Sequence, residues 1–367
     1  MQLETIARQR LFNQRLLTSS FQQPVEVVQW LGAAQAQDFA GAKWSLGMRL
    51  DPAAAAVSDA AVEQAFDAGT VLRTHVLRPT WHFVAPADIR WLLALTAPRV
   101  HLLNATYYRR VGLDDDLYAR SREVMIRALA GSTYQTRDEL RQALDAAHIA
   151  EDVELRMIYI LIRAELDGLI CSGPRRGKQF TYALLDERVP STVPLGREEA
   201  LAELVRRYYT SHGPATAYDL ARWASLTLED VRAGLAATSS HLQSEEVEGQ
   251  TYWYDSTLPA AAAPSGRESV AYLLSIYDEY VIGYKEWSAI ASAEDAARLR
   301  ALANDLTSVV LVDGRIVGTW KRAIDKRRAT VTLRPLRPLE PEEMDAIAAA
   351  ADRLGAFLGL PVTLIEQ

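Results

Sequence analysis

Two amides and a carboxylate lie close together near the amino terminus, at Gln35, Gln37 and Asp38. They alternate with alanines and follow an apolar stretch at positions 25–31. Amide groups in such a cluster can hold a water molecule beside a sugar carbon, because each offers a carbonyl acceptor and an NH2 donor. The alternative is a polar helix end whose side chains hydrogen-bond their own backbone, and residue types alone favour that alternative.

The spacing of the two amides constrains the backbone that carries them. On a regular helix, residues i and i+2 point about 200° apart, whereas on an extended segment they share one side. We therefore expect residues 34–38 to be non-helical or at a distorted helix end, or else only one amide reaches the water. A glutamine amide is a poor base, so Gln35 and Gln37 can position water and direct a carbonyl dipole but cannot deprotonate it. The carboxylate of Asp38 is interpreted as a helix cap rather than as the base.

Composition limits the possible classes of protein. The chain has 367 residues, 49% of them hydrophobic and 24% charged, as expected of a globular protein with two to four domains. Its single cysteine, Cys171, excludes an internal disulfide, and the six scattered histidines have no metal-site spacing. We therefore expect no metal and no cofactor. There is no signal-like start and no apolar run of membrane-spanning length, so we expect a cytoplasmic protein that does not enter a membrane.

Basic residues are clustered although the net charge is −7. That net charge argues against a protein that coats nucleic acid indiscriminately, whereas local basic clusters are typical of a binder that seeks particular sites. The alternative is a set of solvated faces, which is favoured for any one cluster taken alone. One basic cluster consists of Arg175, Arg176 and Lys178. A second basic cluster consists of Lys321, Arg322, Lys326, Arg327 and Arg328.

One order of elements recurs along the chain. Predicted helices precede a predicted two-stranded hairpin three times, with the hairpins at 71–84, 169–184 and 241–254. This order is that of a winged helix, in which the hairpin is the wing. After a Pro- and Ala-rich linker at 259–266, the pattern changes to strands, including two joined by Asp313-Gly314, and a helix at 341–358.

The predicted fold class is α+β, with three tandem winged-helix units followed by a small C-terminal β-rich domain that forms an open sheet or a barrel-like structure. The predicted division is 1–115 for N-terminal helices and winged helix 1, 116–194 for winged helix 2, 195–258 for winged helix 3 and 265–367 for the β-rich domain.

Three motifs in this order resemble those of the winged-helix DNA glycosylases of the AlkZ/YcaQ type, and the similarity covers essentially the whole length. The motifs are Val71-Leu72-Arg73-Thr74-His75-Val76-Leu77-Arg78-Pro79-Thr80-Trp81-His82-Phe83-Val84, Ser275-Ile276-Tyr277-Asp278-Glu279-Tyr280-Val281-Ile282-Gly283-Tyr284 and Asp313-Gly314-Arg315-Ile316-Val317-Gly318-Thr319-Trp320-Lys321-Arg322. The resemblance implies three tandem winged helices with a concave DNA-binding face and a C-terminal β-barrel.

The resemblance also implies a monofunctional glycosylase that removes alkylated bases, including bulky N7-linked purine adducts and interstrand crosslinks. The resemblance implies a catalytic signature of Gln-Φ-Gln, or Gln-Φ-Asp in the other branch of the family, where Φ is apolar. Gln35-Ala36-Gln37 matches the first form with an unusually small Φ. With this context a catalytic role for Gln35 and Gln37 becomes the favoured hypothesis. The chemistry agrees, because a purine alkylated at N7 or N3 is cationic and departs as a neutral base without an acid.

The other candidate residues have weaker expectations. Asp38, His75 and His82 are possible supporting residues. The two histidines lie at odd spacing on neighbouring strands, so at most one faces the same side as the partners of Trp81, and a structural role is favoured over DNA contact. The cluster Arg175, Arg176 and Lys178 is the best candidate for phosphate contacts, followed by the cluster from Lys321 to Arg328. Asp278 and Glu279 are candidates to hold an arginine in an interdomain salt bridge.

The expected partner is double-stranded DNA with alkylated purines, bound in an open cleft by a monomer associated with the nucleoid. A multi-winged-helix regulator without chemistry is the alternative, although such regulators usually carry one module per chain and dimerise. A hydrolase of another kind is not supported, because the sequence has no Gly-x-Ser-x-Gly, metal or phosphate-loop motif.

Overall fold

The computed structural model describes residues 2–149, 155–191, 193–261, 269–301 and 308–367 and has an α+β fold, as predicted. Three predicted features lie partly outside these residues: the start of a helix expected from Glu151, the second half of the linker at 259–266, and the start of the β-rich domain at 265. In the described ranges, no helix is long and apolar enough to cross a membrane.

The first region joins helices to a three-stranded sheet with the strand order β1-β3-β2. Its elements are α1 (Leu3–Asn13), α2 (Pro24–Leu31), β1 (Ala34–Gln35), α3 (Phe39–Gly47), α4 (Asp59–Asp67), β2 (Leu72–Val76), β3 (Arg78–Val84) and α5 (Ile89–Arg110). Helix α2 covers the apolar stretch at 25–31, and the β2–β3 hairpin forms within the predicted range 71–84. The sequence pattern did not predict β1 as a third strand, α3 or the 22-residue α5.

The second region has the same general order of elements and a sheet with the order β4-β6-β5. Its elements are α6 (Asp115–Leu129), β4 (Gln135–Thr136), α7 (Arg137–Ala146), α8 (Arg156–Leu166), β5 (Ile170–Ser172), β6 (Thr181–Leu184) and α9 (Leu185–Arg188). A capping box starts α7, because Thr136 and Glu139 each bond the other's backbone N–H.

The third region packs three helices against a two-stranded hairpin. Its elements are α10 (Arg197–His212), α11 (Ala217–Trp223), α12 (Leu228–Ala237), β7 (Leu242–Val247) and β8 (Gln250–Asp255). Tyr208 and Trp223 from this region share one hydrophobic core with Leu72 and Val84 of the first sheet. The first and third regions are therefore held together by buried apolar contacts.

The C-terminal region is built on a five-stranded sheet with the order β13-β12-β11-β10-β9. Its elements are β9 (Ala271–Leu274), α13 (Glu279–Ile282), α14 (Ala293–Ala301), β10 (Val309–Val312), β11 (Arg315–Ile324), β12 (Ala329–Pro335), α15 (Pro341–Leu358) and β13 (Val362–Glu366). The sheet is open within the described residues, with β13 and β9 at its edges. Asp313 and Gly314 form the predicted turn between β10 and β11, with φ of 51° and 85°.

Hydrophobic clusters connect the first helices to this C-terminal sheet. Trp44 of α3 packs on Phe357 of α15 with their ring centroids 5.2 Å apart. Ile6 and Leu11 of α1 lie in one buried cluster with Tyr280 of α13. The predicted regions 1–115 and 265–367 thus share cores, and β1 lies where residues from both ends of the chain meet.

Candidate active site

The segment that carries both glutamines is not helical. Helix α2 ends at Leu31, and the next residue, Gly32, has a φ of 83°, a left-handed conformation that favours glycine. The chain then enters β1, which pairs antiparallel with β3 so that Gln35 lies opposite His82. The prediction that the segment is non-helical is confirmed for β1, which covers Ala34 and Gln35.

The alanines of this segment are buried, and the two amides differ in exposure. Ala34 and Ala36 are 2% and 0% exposed and lie in the same hydrophobic core as Phe83. Gln35 lies on the strand itself, and Gln37 lies in a bend just after it. Gln35 is 9% exposed, whereas Gln37 is exposed. The small Φ residue of the signature is thus a buried core residue.

Three contacts fix the backbone of this segment. The N–H of Gln35 donates to Oε1 of Glu279 at 2.7 Å, and the N–H of Ala36 donates to the carbonyl of Trp81 at 2.7 Å. Nε of Arg73 donates to the carbonyl of Ala36 at 3.0 Å. The side chains of Arg73 and Glu279, which are 37 and 244 positions away in the sequence, therefore hold the segment from both sides.

The two amide side chains have different hydrogen-bond partners. A terminal NH2 of Arg78 donates to Oε1 of Gln35 at 2.6 Å and lies 3.4 Å from Nε2 of His82. Among the described residues, Oε1 of Gln37 has one donor, the backbone N–H of Trp81, at a longer distance of 3.3 Å. Gln35 is thus tied to a cation, and Gln37 is held loosely.

Glu279 lies beneath Gln35 and is itself fully buried. Its Oε2 accepts from Nε1 of Trp223 at 2.8 Å and lies 3.5 Å from Nε2 of His212. Burial alone raises the pKa of this carboxyl, but the neighbouring His212 and Arg78 outweigh it and lower the pKa of Glu279 to about 2. Glu279 therefore keeps its negative charge although it is fully enclosed by protein.

His82 is a neutral acceptor rather than an acid. Burial, followed by the nearby Arg78 charge, lowers the pKa of His82 to about 3. Its Nδ1–H donates to the carbonyl of Thr80 at 2.9 Å, which leaves Nε2 as the unprotonated nitrogen that faces Arg78. Burial also lowers the pKa of Arg78, but a guanidinium stays charged in proteins. His82 therefore supports Gln35 through Arg78.

The turn before Arg78 is unusually tight. Leu77 is the single residue between β2 and β3, and its φ of 62° places a non-glycine residue in the left-handed region. Such a conformation costs on the order of 1–2 kcal/mol. Leu77 is fully buried, so apolar burial offsets the cost and the turn presents Arg78 to Gln35.

His75 lies on the opposite face of the same sheet from His82. Its Nδ1 pairs with the buried carboxylate of Glu165, and its ring lies 4.5 Å from that of Trp81. A cavity of about 310 Å³ on this face is lined by Arg73, His75 and Trp81 together with residues of the second region. The expectation that at most one histidine faces the Trp81 side is confirmed. Within the described residues, His75 forms no hydrogen bond with Gln35 or Gln37.

The prediction that the side chain of Asp38 caps a helix is wrong. Asp38 occupies the N-cap position of α3, but its carboxylate makes no capping hydrogen bond. It lies instead 3.5 Å from the guanidinium of Arg322 on β11. The positive charge of Arg322 on the C-terminal sheet attracts the carboxylate of Asp38. This ion pair places β11 beside Asp38, the residue that follows Gln37 in the sequence.

The basic turn of the second region is largely paired with carboxylates. Arg175 bonds Glu63 at 2.9 Å with only 15% of its side chain exposed, and Arg176 bonds Glu139 at 2.6 Å. Lys178 is exposed and makes no ion pair within the described ranges. Of this predicted DNA-binding cluster, Lys178 has the most freely available charge.

The β11–β12 hairpin carries the other predicted DNA-binding cluster. We define the hairpin tip as residues 324–328, which join the paired ends of the two strands at Ile324 and Ala329. Lys326, Arg327 and Arg328 are exposed there, and Arg328 lies 3.8 Å from Asp325. Lys321 is also exposed, and Arg322 contacts Asp38 as described above.

The predicted interdomain salt bridge at Asp278 is confirmed. Its carboxylate forms two bonds of 2.8 and 2.9 Å with the guanidinium of Arg49, and both side chains are fully buried. Ser45 donates a third bond at 2.6 Å. This pair fixes α3 to the segment that carries Glu279.

Arg78 and Glu279 were not predicted as partners of Gln35. Arg78 was visible as a charged residue between two apolar strands, at the turn next to the candidate site. Glu279 had no local signal, because 244 residues separate it from Gln35. Among the residues that the structure describes, no group of three His, Cys, Asp or Glu side chains could hold a metal ion.

Comparison with known proteins identifies the family. Residues 28–357 match the model of the family described as DNA glycosylase AlkZ-like. The chain belongs to the AlkZ-like DNA glycosylase family. It is therefore a DNA N-glycosylase, and the alternative of a winged-helix regulator without chemistry is not favoured.

Two relatives from Streptomyces sahachiroi agree with this assignment to the AlkZ-like family. An interstrand DNA cross-link repair glycosylase is 26% identical over 311 residues, which cover 81% of this chain and 82% of the relative. The solved structure of DNA glycosylase AlkZ matches with a TM-score of 0.81 and 24% identity over all of both chains. The AlkZ-like fold is thus shared along the full length.

Proposed function

We propose that this glycosylase hydrolyses the N-glycosidic bond of purines that carry an alkyl group on N7 or N3. The observation that supports it most directly is that Gln35 and Gln37 lie on a non-helical segment at the end of β1, with Gln35 held by Arg78 and Gln37 exposed. Water positioned there attacks C1′, a new C–O bond forms, and the C1′–N bond breaks. Its electron pair neutralises the cationic base, and a proton passes from the water to solvent.

The state of the nearby carboxylates favours a cationic leaving group. Glu279 is buried with both oxygens occupied, and Asp38 lies beside Arg322. Neither is placed as a free general base, and the two amides supply orientation and dipoles rather than proton transfer. Such a site suits a base whose own charge has weakened its bond to the sugar, and serves an undamaged base poorly.

We assign DNA binding to the three helix-and-hairpin regions, acting as tandem winged helices, and to the hairpin tip. The exposed residues Lys326, Arg327 and Arg328 supply phosphate contacts there, and Lys178 supplies one from the second region. We further propose a metal-independent monomer that acts on double-stranded DNA at the nucleoid in the cytoplasm. The name of the Streptomyces sahachiroi relative extends the proposed substrates to purines within interstrand crosslinks.

Excision from a duplex with one N7-methylguanine tests this function. Purified protein in excess, with EDTA present, is expected to produce abasic sites in a single turnover. Gln37→Ala is expected to lower the rate about a hundredfold, the usual effect of removing one preorganised polar group at the reacting atoms. A second duplex, joined by an N7-linked interstrand crosslink, tests the extension to crosslinks separately.

Two controls make the result interpretable. Gln22→Ala removes an exposed amide that bonds Ser20 and Asp51 outside the candidate site, and it is expected to retain the wild-type rate. Fluorescence anisotropy must show that Gln37→Ala still binds the duplex. Wild-type protein that binds both duplexes and releases no base would refute the proposed substrate class.

A further inference from the structure

We propose that Arg78 is a positioning residue that gives the two glutamines different tasks. Gln35 then acts as a hydrogen-bond donor to the substrate, and Gln37 acts as the acceptor that orients the attacking water. This inference rests on the proposed function and deepens it. It follows from three observations about the amide of Gln35, the amide of Gln37 and the surroundings of Arg78.

The orientation of the Gln35 amide is chemically determined. The oxygen and nitrogen of a glutamine amide are normally hard to distinguish, but a guanidinium has only donors. The atom of Gln35 that lies 2.6 Å from Arg78 must therefore be its carbonyl oxygen. Its NH2 group points away from Arg78 and has no partner within the described residues. This NH2 group is not fully enclosed by protein atoms.

The Gln37 amide is held much more weakly. Its oxygen accepts one neutral bond of 3.3 Å from the backbone of Trp81, and its side chain is exposed. A charge-assisted bond such as that of Gln35 is roughly twice as strong as a neutral one. When DNA binds, Gln37 can exchange its long bond for water, whereas Gln35 keeps its carbonyl on Arg78.

Arg78 itself cannot easily move or lose its charge. Its NH2 lies between Oε1 of Gln35 and the unprotonated Nε2 of His82, and the buried Glu279 supplies an opposite charge nearby. Leu77 fixes the backbone immediately before it in the tight turn between β2 and β3. The orientation of Gln35 is therefore set before any substrate arrives, which is preorganisation of a polar group.

Glutamate substitutions separate the two tasks, because a carboxylate keeps the acceptor and loses the NH2 donor. Gln35→Glu is expected to lower the single-turnover rate on N7-methylguanine about a hundredfold, since the substrate loses its donor. Gln37→Glu retains an acceptor and is expected to lose about threefold. Equal losses in the two variants would overturn the division of tasks.

Changes at Arg78 test the positioning role. Arg78→Met frees the Gln35 carbonyl to turn outward and is expected to lower the rate about tenfold with the DNA Kd unchanged within about threefold. In Arg78→Lys, the ammonium group can still donate to the Gln35 carbonyl and cannot accept a hydrogen bond. This variant is expected to recover most of the rate that Arg78→Met loses. Arg337→Met is the matched control, because Arg337 pairs with Glu343 on the surface. A loss that Arg78→Lys does not recover contradicts positioning by a donor.

A measurement without turnover distinguishes failure of this inference from failure of the proposed function. In protein labelled with 15N at its glutamines, Gln35→Glu identifies the Gln35 side-chain signal by its disappearance. Arg78→Met is expected to shift that signal far more than the Gln37 signal, and Arg78→Lys is expected to leave both near their wild-type positions. An unmoved Gln35 signal overturns the inference whatever the enzyme excises, while absent excision with a shifted signal refutes only the proposed substrate.

Discussion

The charges beneath Gln35 and those at the hairpin tip are arranged in opposite ways. Beneath Gln35, Glu279 and the Arg49–Asp278 pair are fully buried, and each has a partner of opposite charge or a hydrogen-bond donor. At the tip, Lys326, Arg327 and Arg328 are exposed, and Asp325 is the nearby acid. Buried pairs hold parts of the chain in place, whereas exposed surface cations remain available to phosphates. The basic turn at Arg175 lies between these extremes.

The largest effect is expected when the buried Arg49–Asp278 pair is broken. Asp278→Ala leaves Arg49 buried without its carboxylate and is expected to lower the free energy of unfolding by about 3–5 kcal/mol. Urea denaturation at neutral pH measures this change. Ser45→Ala, which removes only the third bond to Asp278, is the milder companion variant, and equal losses in both would show that the charge pair is not what stabilises this region.

Acidification is expected to weaken the same buried region. The pKa of Glu279 is lowered to about 2 in the folded protein from an ordinary value of 4.5. Its contribution to stability is therefore complete above about pH 4.5 and is lost as the pH falls toward about 2. Thermal unfolding of wild type and Glu279→Gln across this range should show a Tm difference that shrinks toward low pH. A difference that stays constant with pH would mean that the charge of Glu279 does not matter.

Removing the tip cations is expected to affect DNA binding without affecting stability. The combined change Lys326→Ala, Arg327→Ala and Arg328→Ala should weaken DNA affinity about ten- to a hundredfold and reduce the slope of log K against log salt by about 3. Anisotropy titrations at several salt concentrations measure both quantities. Arg298→Ala with Arg337→Ala, which removes two paired surface arginines, is the control. An unchanged salt slope would remove the tip from the DNA interface.

The smallest effects are expected at the basic turn of the second region. Arg175→Ala breaks a mostly buried contact with Glu63 and with the rings of Phe39 and Phe180, and should lower the free energy of unfolding by about 1–2 kcal/mol. Arg176→Ala, at an exposed pair, should leave the Tm unchanged. If Arg175→Ala instead weakens DNA binding and leaves the Tm intact, the turn belongs with the hairpin tip.

Local sequence signals predicted the elements that have strong local causes. Helix α15 begins at Pro341 and ends at Leu358 as predicted, and the Asp313-Gly314 turn forms where expected. Helix α5 was missed because Pro98 lies inside it, and α3 contains Gly41 and Gly47. Packing against distant residues outweighs these unfavourable local propensities, as the contact between Trp44 and Phe357 illustrates.

The candidate site was predicted in its residue types but not in its support. The argument from residue spacing predicted correctly that the segment from Ala34 to Asp38 is not helical, whereas the shared orientation of Gln35 and Gln37 stays a prediction. The partners of Gln35 could not be predicted, because Glu279 becomes adjacent only when both ends of the chain fold together. The pairing of Arg175 with Glu63, 112 residues away, was invisible for the same reason.

The one-residue turn at Leu77 has a consequence for how this enzyme can vary. Because β2 and β3 are joined by a single residue, adding or deleting one residue there would rotate Arg78 away from Gln35 and reverse which side chains of β3 meet the glutamine segment. Surface loops of such a protein tolerate changes of length, but this connection does not. The length of this connection therefore sets the contact between Arg78 and Gln35, although Leu77 itself is fully buried.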